Sequence, residues 1–249
     1  MKKNLLLIII GAILIAGVII TFSQFSKGKS RANPFQERKF VALGASFTKA
    51  NNLSSNLIGD NPEYSFATGT KINSLFLHLN TKGENLIAIN LAESGANSKS
   101  VLQKQVPNAI SYNPKYVVVD IMADIFEEEK PEGFRQNLIE IVKQVKNKNN
   151  TVLIGTYPNL LLMRKAAFES CLTDKLGLEV DKITDGKLKL FNQTIEEIAK
   201  EYDLILVDNF NTLTSQEISN YDCLHPNIEG QKKLAQTWIE ALEKKGGEK

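Results

Sequence analysis

The chain is sparing with the side chains that most often carry chemistry, since its 249 residues include only two cysteines and two histidines. Two cysteines, Cys171 and Cys223, allow one internal bridge and no disulfide framework, so the fold must rest on an apolar core. Neither H-E-x-x-H nor Cys-x-x-Cys occurs, which removes the usual metal-site spacings, and no metal or cofactor is expected. Charge of one sign is also lacking. With 30 basic and 28 acidic residues the formal net charge is +2, and no basic patch argues for a nucleic-acid partner. No internal repeat or low-complexity tract interrupts what is, at 43% hydrophobic and 23% charged residues, an ordinary globular composition.

The longest absence is of charge itself, across residues 5–22, preceded by Lys2 and Lys3. As a helix this run reaches roughly 27 Å, close to the hydrocarbon thickness of a bilayer. It exceeds the apolar region of about 7–15 residues in a cleaved signal and has no clean A-x-A after it. Residues 1–23 are therefore expected to be a signal anchor spanning the cell membrane once, with secretion after cleavage as the alternative. No cysteine near its end suggests a lipoprotein. Lys27, Lys29 and Arg31 dilute the orientation signal, and the expected placement of the folded part is extracytoplasmic. Residues 24–38 are polar and read as a tether, leaving residues 39–249 as one domain.

Within that domain, short apolar runs alternate with helical periodicity, the pattern of βαβ units around a parallel sheet. Strands are expected at 40–43, 86–91, 116–121, 151–154 and 204–207. Phe134, Leu138, Ile141, Val142 and Val145 recur at helical spacing, as do Phe191, Ile195, Ile198 and Tyr202 and, in a closing helix, Leu234, Ala235, Trp238, Ile239 and Leu242. His78 sits among leucines and reads as a helix or core residue. Asp120 reads as a strand-end charge with a salt-bridge partner, and the three glutamates from Glu127 as a solvated approach to a helix. Residues 51–70 and 160–186 are long connections that would border the cleft, the latter as an apolar wall or lid unless its leucines simply pack as a helix face.

The chemistry concentrates in two short segments. Gly44-Ala45-Ser46 follows the first strand, and Asp222-Cys223-Leu224-His225-Pro226-Asn227 follows the fifth. A serine hydroxyl becomes a nucleophile when a histidine takes its proton, and the imidazole serves best when a carboxylate fixes its tautomer. Ser46, His225 and Asp222 supply those three groups. Gly95 follows strand two and Asp124 follows strand three, so all candidates fall beyond the carboxyl ends of the strands, where open α/β sheets bind ligands.

In these segments the chain resembles the SGNH hydrolases, also called GDSL lipases and esterases. The resemblance implies a flavodoxin-like three-layer α/β/α fold with a five-stranded parallel sheet, and it extends over nearly everything from Phe40 onward. Asp222, His225, Pro226, Asn227 and Gly230 match the family's D-x-x-H-P-N-x-x-G pattern, and Gly95 matches the glycine whose N–H serves the oxyanion hole. The family's Gly-Asp-Ser is Gly44-Ala45-Ser46 here, keeping the nucleophile and losing an acid that is not the catalytic one. A G-x-S-x-G elbow is absent, which disfavours the α/β-hydrolase alternative.

The third family block departs further. Where Gly-x-Asn-Asp is expected, the chain has Met122-Ala123-Asp124-Ile125, so Asp124 stands at the position of the asparagine that donates to the oxyanion. An ionised aspartate has no proton to donate. A protonated Asp124 or Asn97 is an alternative donor, and a shift of one residue puts Ala123 at the asparagine position instead; Asp124→Asn is expected to raise activity if Asp124 is the defect. The implied function is a serine esterase or lipase cleaving lipid esters or O-acetylated envelope sugars. The alternatives are an O-acyltransferase using the same triad and a catalytically weak binding module. Cys171 and Cys223 either pair, pinning the His225 loop, or remain thiols.

Overall fold

The computed structural model describes residues 37–49, 70–127, 130–163, 183–220 and 222–247. The expected membrane helix at 1–23 lies outside them, as does most of the tether. Among the described residues no helix is long and apolar enough to cross a membrane. Most of the 51–70 connection and the middle of the 160–186 connection are likewise outside them.

Five parallel strands, β1 (Arg38–Gly44), β2 (Leu86–Asn90), β3 (Tyr116–Asp120), β4 (Thr151–Gly155) and β5 (Ile205–Val207), form one sheet in the order β2-β1-β3-β4-β5. This is the flavodoxin-like order, with its switch point between β1 and β3. The strands read as unbroken apolar runs because helices cover both faces. Phe40, Ala42, Val118 and Leu153 face one layer, with Ile72, Leu75, Leu79 and Trp238. Val41, Leu43, Val117, Val119 and Ile154 face the other, with Leu138, Ile141, Phe191 and Ile195.

α1 (Ser46–Lys49) carries its buried Phe47 into the second layer, and the first layer is α2 (Lys71–Thr81) with the closing helix described last. The second contains α3, which runs through Ser98–Ser100, a π-helical stretch Val101–Gln105 and Val106–Ser111. It continues with α4 (Asp124–Glu127), α5 (Glu132–Val145) and α6 (Asp185–Glu201). A 3-10 turn Ser215–Glu217 leads toward α7 (Ile228–Gly247), the closing helix, which packs on α2 and β5.

His78 lies on α2 and pairs with Glu243 of α7 at 3.3 Å. Asp120 ends β3 and has the salt-bridge partner expected of it, Lys71. Leu160 and Met163 are buried in the core while Leu162 is exposed, so this stretch packs inward on one side.

Candidate active site

The carboxyl ends of β1 and β3 meet tightly. Gly44 and Asp120 are register partners, and Gly44 has φ +152°. A Cβ there would come 2.2 Å from the Asp120 carbonyl and 2.8 Å from Thr48 Oγ1, so only glycine fits. Ser46 opens α1 immediately beyond this contact. Gln105, in the π-helical stretch of α3, grips Gly44 from the other layer. Its Oε1 accepts the Gly44 N–H at 2.9 Å, and its Nε2 donates to the Gly44 carbonyl at 2.9 Å. Asn90 at the end of β2 adds a third hold, donating to the Thr48 carbonyl at 3.1 Å. The turn bearing Ser46 is thus fixed by side chains from two other segments, α3 and β2, and by the backbone of β3.

The histidine loop is built with equal economy. Asp222 Oδ1 accepts the N–H groups of Leu224 at 3.1 Å and His225 at 3.0 Å, and Oδ2 lies 2.6 Å from His225 Nδ1. An ionised carboxylate only accepts, so Nδ1 carries the proton and Nε2 is left as the basic nitrogen. Burial pushes the Asp222 carboxyl up, but the bonds and charge from His225, with the backbone N–H groups, outweigh it and hold the carboxyl below its ordinary range. Cys223, at φ +60°, is disulfide-bonded, and Cys171 lies outside the described residues.

The rest of the D-x-x-H-P-N-x-x-G pattern has a physical reason at each position. Pro226 bridges to Ile218, and Asn227 Oδ1 caps α7 by accepting the Gly230 N–H at 3.0 Å. A Cβ on Gly230 would come 2.5 Å from the Glu217 carbonyl, so the helix docks there only with glycine. Glu217 is itself held by Lys233 and Thr214; burial raises its carboxyl, and those bonds bring it down to about 2.

These two segments adjoin. The His225 ring lies 5.6 Å, centroid to centroid, from the ring of Phe47, the residue after Ser46. Gln231 of α7 donates to the Phe47 carbonyl at 3.5 Å and accepts the Lys71 N–H at 3.0 Å. Gly95, at φ +73°, sits in a turn closed by the Ala96 N–H on the Glu93 carbonyl at 3.2 Å, and the Glu93 N–H reaches the Gly44 carbonyl at 3.1 Å. The loop bearing Gly95 is therefore tied to the strand that bears Ser46.

Asp124 and Asn97 are occupied elsewhere. Asp124 is buried at the start of α4, where it accepts the Ser98 N–H at 2.8 Å and the Ser98 hydroxyl at 2.6 Å. Asn137 in turn donates to that hydroxyl at 3.0 Å. The carboxylate braces the beginning of α3, a task that needs an acceptor and explains why an acid stands there. Asn97 caps α3 through the Ser100 N–H at 2.9 Å, and its amide donates to Glu127 at 2.5 Å. The amide that the alternative donor role requires is the one Glu127 holds.

Sequence reasoning missed Gln105, Thr48, Lys71, Gln231 and Ser98. Lys71 left a trace, because it shares an i, i+4 face with buried Leu75 and Leu79.

Residues 42–233 match the model of the GDSL-like lipase/acylhydrolase family. No curated protein sequence matches the chain. Among solved structures it resembles the psychrotrophic esterase EstA from Pseudoalteromonas sp., inhibited by monoethylphosphonate, at 16% identity over 85% of this chain and 100% of that one, with a TM-score of 0.60. It also resembles a lipase/acylhydrolase from Enterococcus faecalis, at 18% identity over 84% and 96%, TM-score 0.59. An acetyl xylan esterase from Geobacillus stearothermophilus is similar at 16% identity over 82% and 94%, TM-score 0.59. At such identities the likeness is one of fold.

Proposed function

Since the chain belongs to the GDSL-like lipase/acylhydrolase family, we propose that it hydrolyses carboxylic esters with Ser46 as nucleophile, His225 as general base and Asp222 as the orienting acid. The observation that carries this reading is the 2.6 Å contact of Asp222 with His225 Nδ1, on a ring packed against the residue that follows Ser46. In acylation, Ser46 Oγ attacks the ester carbonyl while its proton passes to His225 Nε2. Collapse of the tetrahedral intermediate returns that proton to the leaving alcohol. Water then repeats the sequence on the acyl-enzyme and restores Ser46. Asp222 stays ionised throughout, steadying the imidazolium. The N–H groups of Ser46 and Gly95 serve the oxyanion, with no step asked of Asp124 or Asn97.

Losing one side-chain donor typically costs about a hundred- to a thousandfold in rate, so a slow enzyme is expected. The substrate is a lipid ester or an O-acetylated envelope sugar; the lipase/acylhydrolase and acetyl xylan esterase among the structural relatives support this range. An acyltransferase differs only in the acceptor that replaces water. The occupation of Asp124 by Ser98 favours one second reading, a weakly catalytic binding module. The charge-free run at residues 5–22 supports tethering of the domain outside the cytoplasm, and Cys171 as the disulfide partner of Cys223 fits an oxidising compartment.

The test is fluorophosphonate labelling of the full chain and its Ser46→Ala variant, alongside hydrolysis of short and long p-nitrophenyl esters. Ser46-dependent labelling and turnover are expected, and acyl preference ranks the substrates. A folded protein that neither labels nor turns over belongs to the binding reading.

A further inference from the structure

Beneath the Ser46 turn lies a buried ion pair that the hydrolytic steps do not use. Lys71, the first residue of α2, is 1% exposed, and its ammonium is bonded to Asp120 Oδ2 while lying 4.9 Å from the centre of the Trp238 ring. The same Oδ2 accepts the Thr48 hydroxyl at 2.7 Å, and the Asp120 carbonyl accepts the Ala45 N–H at 3.4 Å. The Lys71 N–H is held by Gln231, whose amide also reaches the Phe47 carbonyl. Every residue from Ala45 to Thr48 except Ser46 itself is therefore engaged by this cluster.

A buried ion pair contributes little to stability compared with apolar residues of the same volume, because desolvating the two charges offsets their attraction. What such a pair supplies is direction: the ammonium fixes the carboxylate, and the carboxylate fixes Thr48. The structure also makes room for it. A Cβ on Gly155 would come 3.1 Å from Asp120 Oδ1 and 2.7 Å from Asn209 Nδ2. Position 45, between Gly44 and Ser46, is alanine, so the carboxylate beneath this turn comes from the neighbouring strand, at the register partner of Gly44.

We propose that Lys71 and Asp120 are positioning residues for Ser46, acting through Thr48 and the Ala45 N–H to hold the nucleophile's turn in its reactive geometry. This rests on the hydrolase reading above. It assigns them no contact with substrate and no proton to transfer.

The experiment uses the full chain carrying Thr48→Val, Thr48→Ser, or the paired replacement Lys71→Met with Asp120→Leu, which leaves no buried charge alone. Folding is followed by circular dichroism and melting, and the rate of fluorophosphonate labelling is read together with kcat and KM for a p-nitrophenyl ester. Folded Thr48→Val and paired variants are expected to label and turn over about ten- to a hundredfold more slowly with KM unchanged, the scale of a slightly misplaced nucleophile. Thr48→Ser, which keeps the hydroxyl, is expected to recover most of the rate. Folded Thr48→Val with labelling and kcat at the parent level overturns the proposal and leaves the hydrolase reading intact. A parent chain that does not label at Ser46 overturns both.

Discussion

The two ends of the sheet each carry a cluster of charges, and they are built on opposite terms. At the amino end, Glu84 gathers Arg38, Lys115 and the Tyr116 hydroxyl, with Arg38 52% and Lys115 31% exposed. At the carboxyl end, Lys71 and Asp120 are almost wholly withdrawn from water, at 1% and 10%. Water can replace Arg38 or Lys115 when either is lost from the first cluster, so the geometry there is loosely enforced and its contribution small. No water-like substitute is at hand for the second, so each polar atom must meet a definite partner, and the backbone that carries those partners is fixed as a result. The difference teaches where this fold keeps its precision: at the end that holds Ser46 and His225.

Breaking the carboxyl end at its chemistry gives the largest expected effect. Asp222→Asn is expected to lower kcat by about ten-thousandfold by favouring the wrong imidazole tautomer, measured with a p-nitrophenyl ester. Lys71→Met alone leaves Asp120 buried without its cation and is expected to cost about 3–5 kcal/mol in urea unfolding, with the Asp120→Leu partner change recovering much of it. Asp124→Asn turns one acceptor into a donor facing Ser98. It is expected to destabilise by about 1–3 kcal/mol and to bring no gain in ester hydrolysis, and a rise in kcat would show that Asp124 acts at the oxyanion after all.

The amino end sharpens the contrast. Glu84→Gln is expected to change stability by no more than about 1 kcal/mol and to leave kcat untouched. Burial raises the Glu84 carboxyl, and the bonds from Lys115, Tyr116 and Arg38 outweigh it and leave it lowered. Its stabilisation is thus complete above the ordinary carboxylate range and is lost as pH falls through the lowered value. Melting curves of parent and Glu84→Gln should differ at neutral pH and converge in acid.

The strands were legible because burial on both faces writes them as continuous apolar runs. Their ends were less so, for local reasons. The expected fifth strand begins at Leu204, but that N–H closes α6 on the Ala199 carbonyl at 2.8 Å, with Asp203 at φ +51°, so pairing starts at Ile205. The second was expected to reach Leu91, whereas the Asn90 side chain accepts the Ala92 N–H at 3.1 Å and turns the chain out of the sheet. The residues proposed for catalysis were legible because the histidine loop is a compact motif whose Asp222, Asn227 and Gly230 serve one another. The partners of Lys71 and Gln105 were not, since they stand 49 and 61 positions away; local spacing showed only that Lys71 lies on the buried face of α2. For Asp124 the sequence gives the residue type; that its carboxylate turns to Ser98 is a matter of tertiary packing.

The Gln231 clasp on Phe47 joins positions 184 residues apart, and that distance is also an interval of time. At ordinary rates of synthesis the segment bearing Ser46 leaves the ribosome on the order of ten to forty seconds before the segment that completes its surroundings. On the proposed reading, Ser46 is an ordinary alcohol through that interval. The closing helix is made well after the segment that bears Ser46, so on the proposed reading a nascent chain carries the serine before the residues that would activate it.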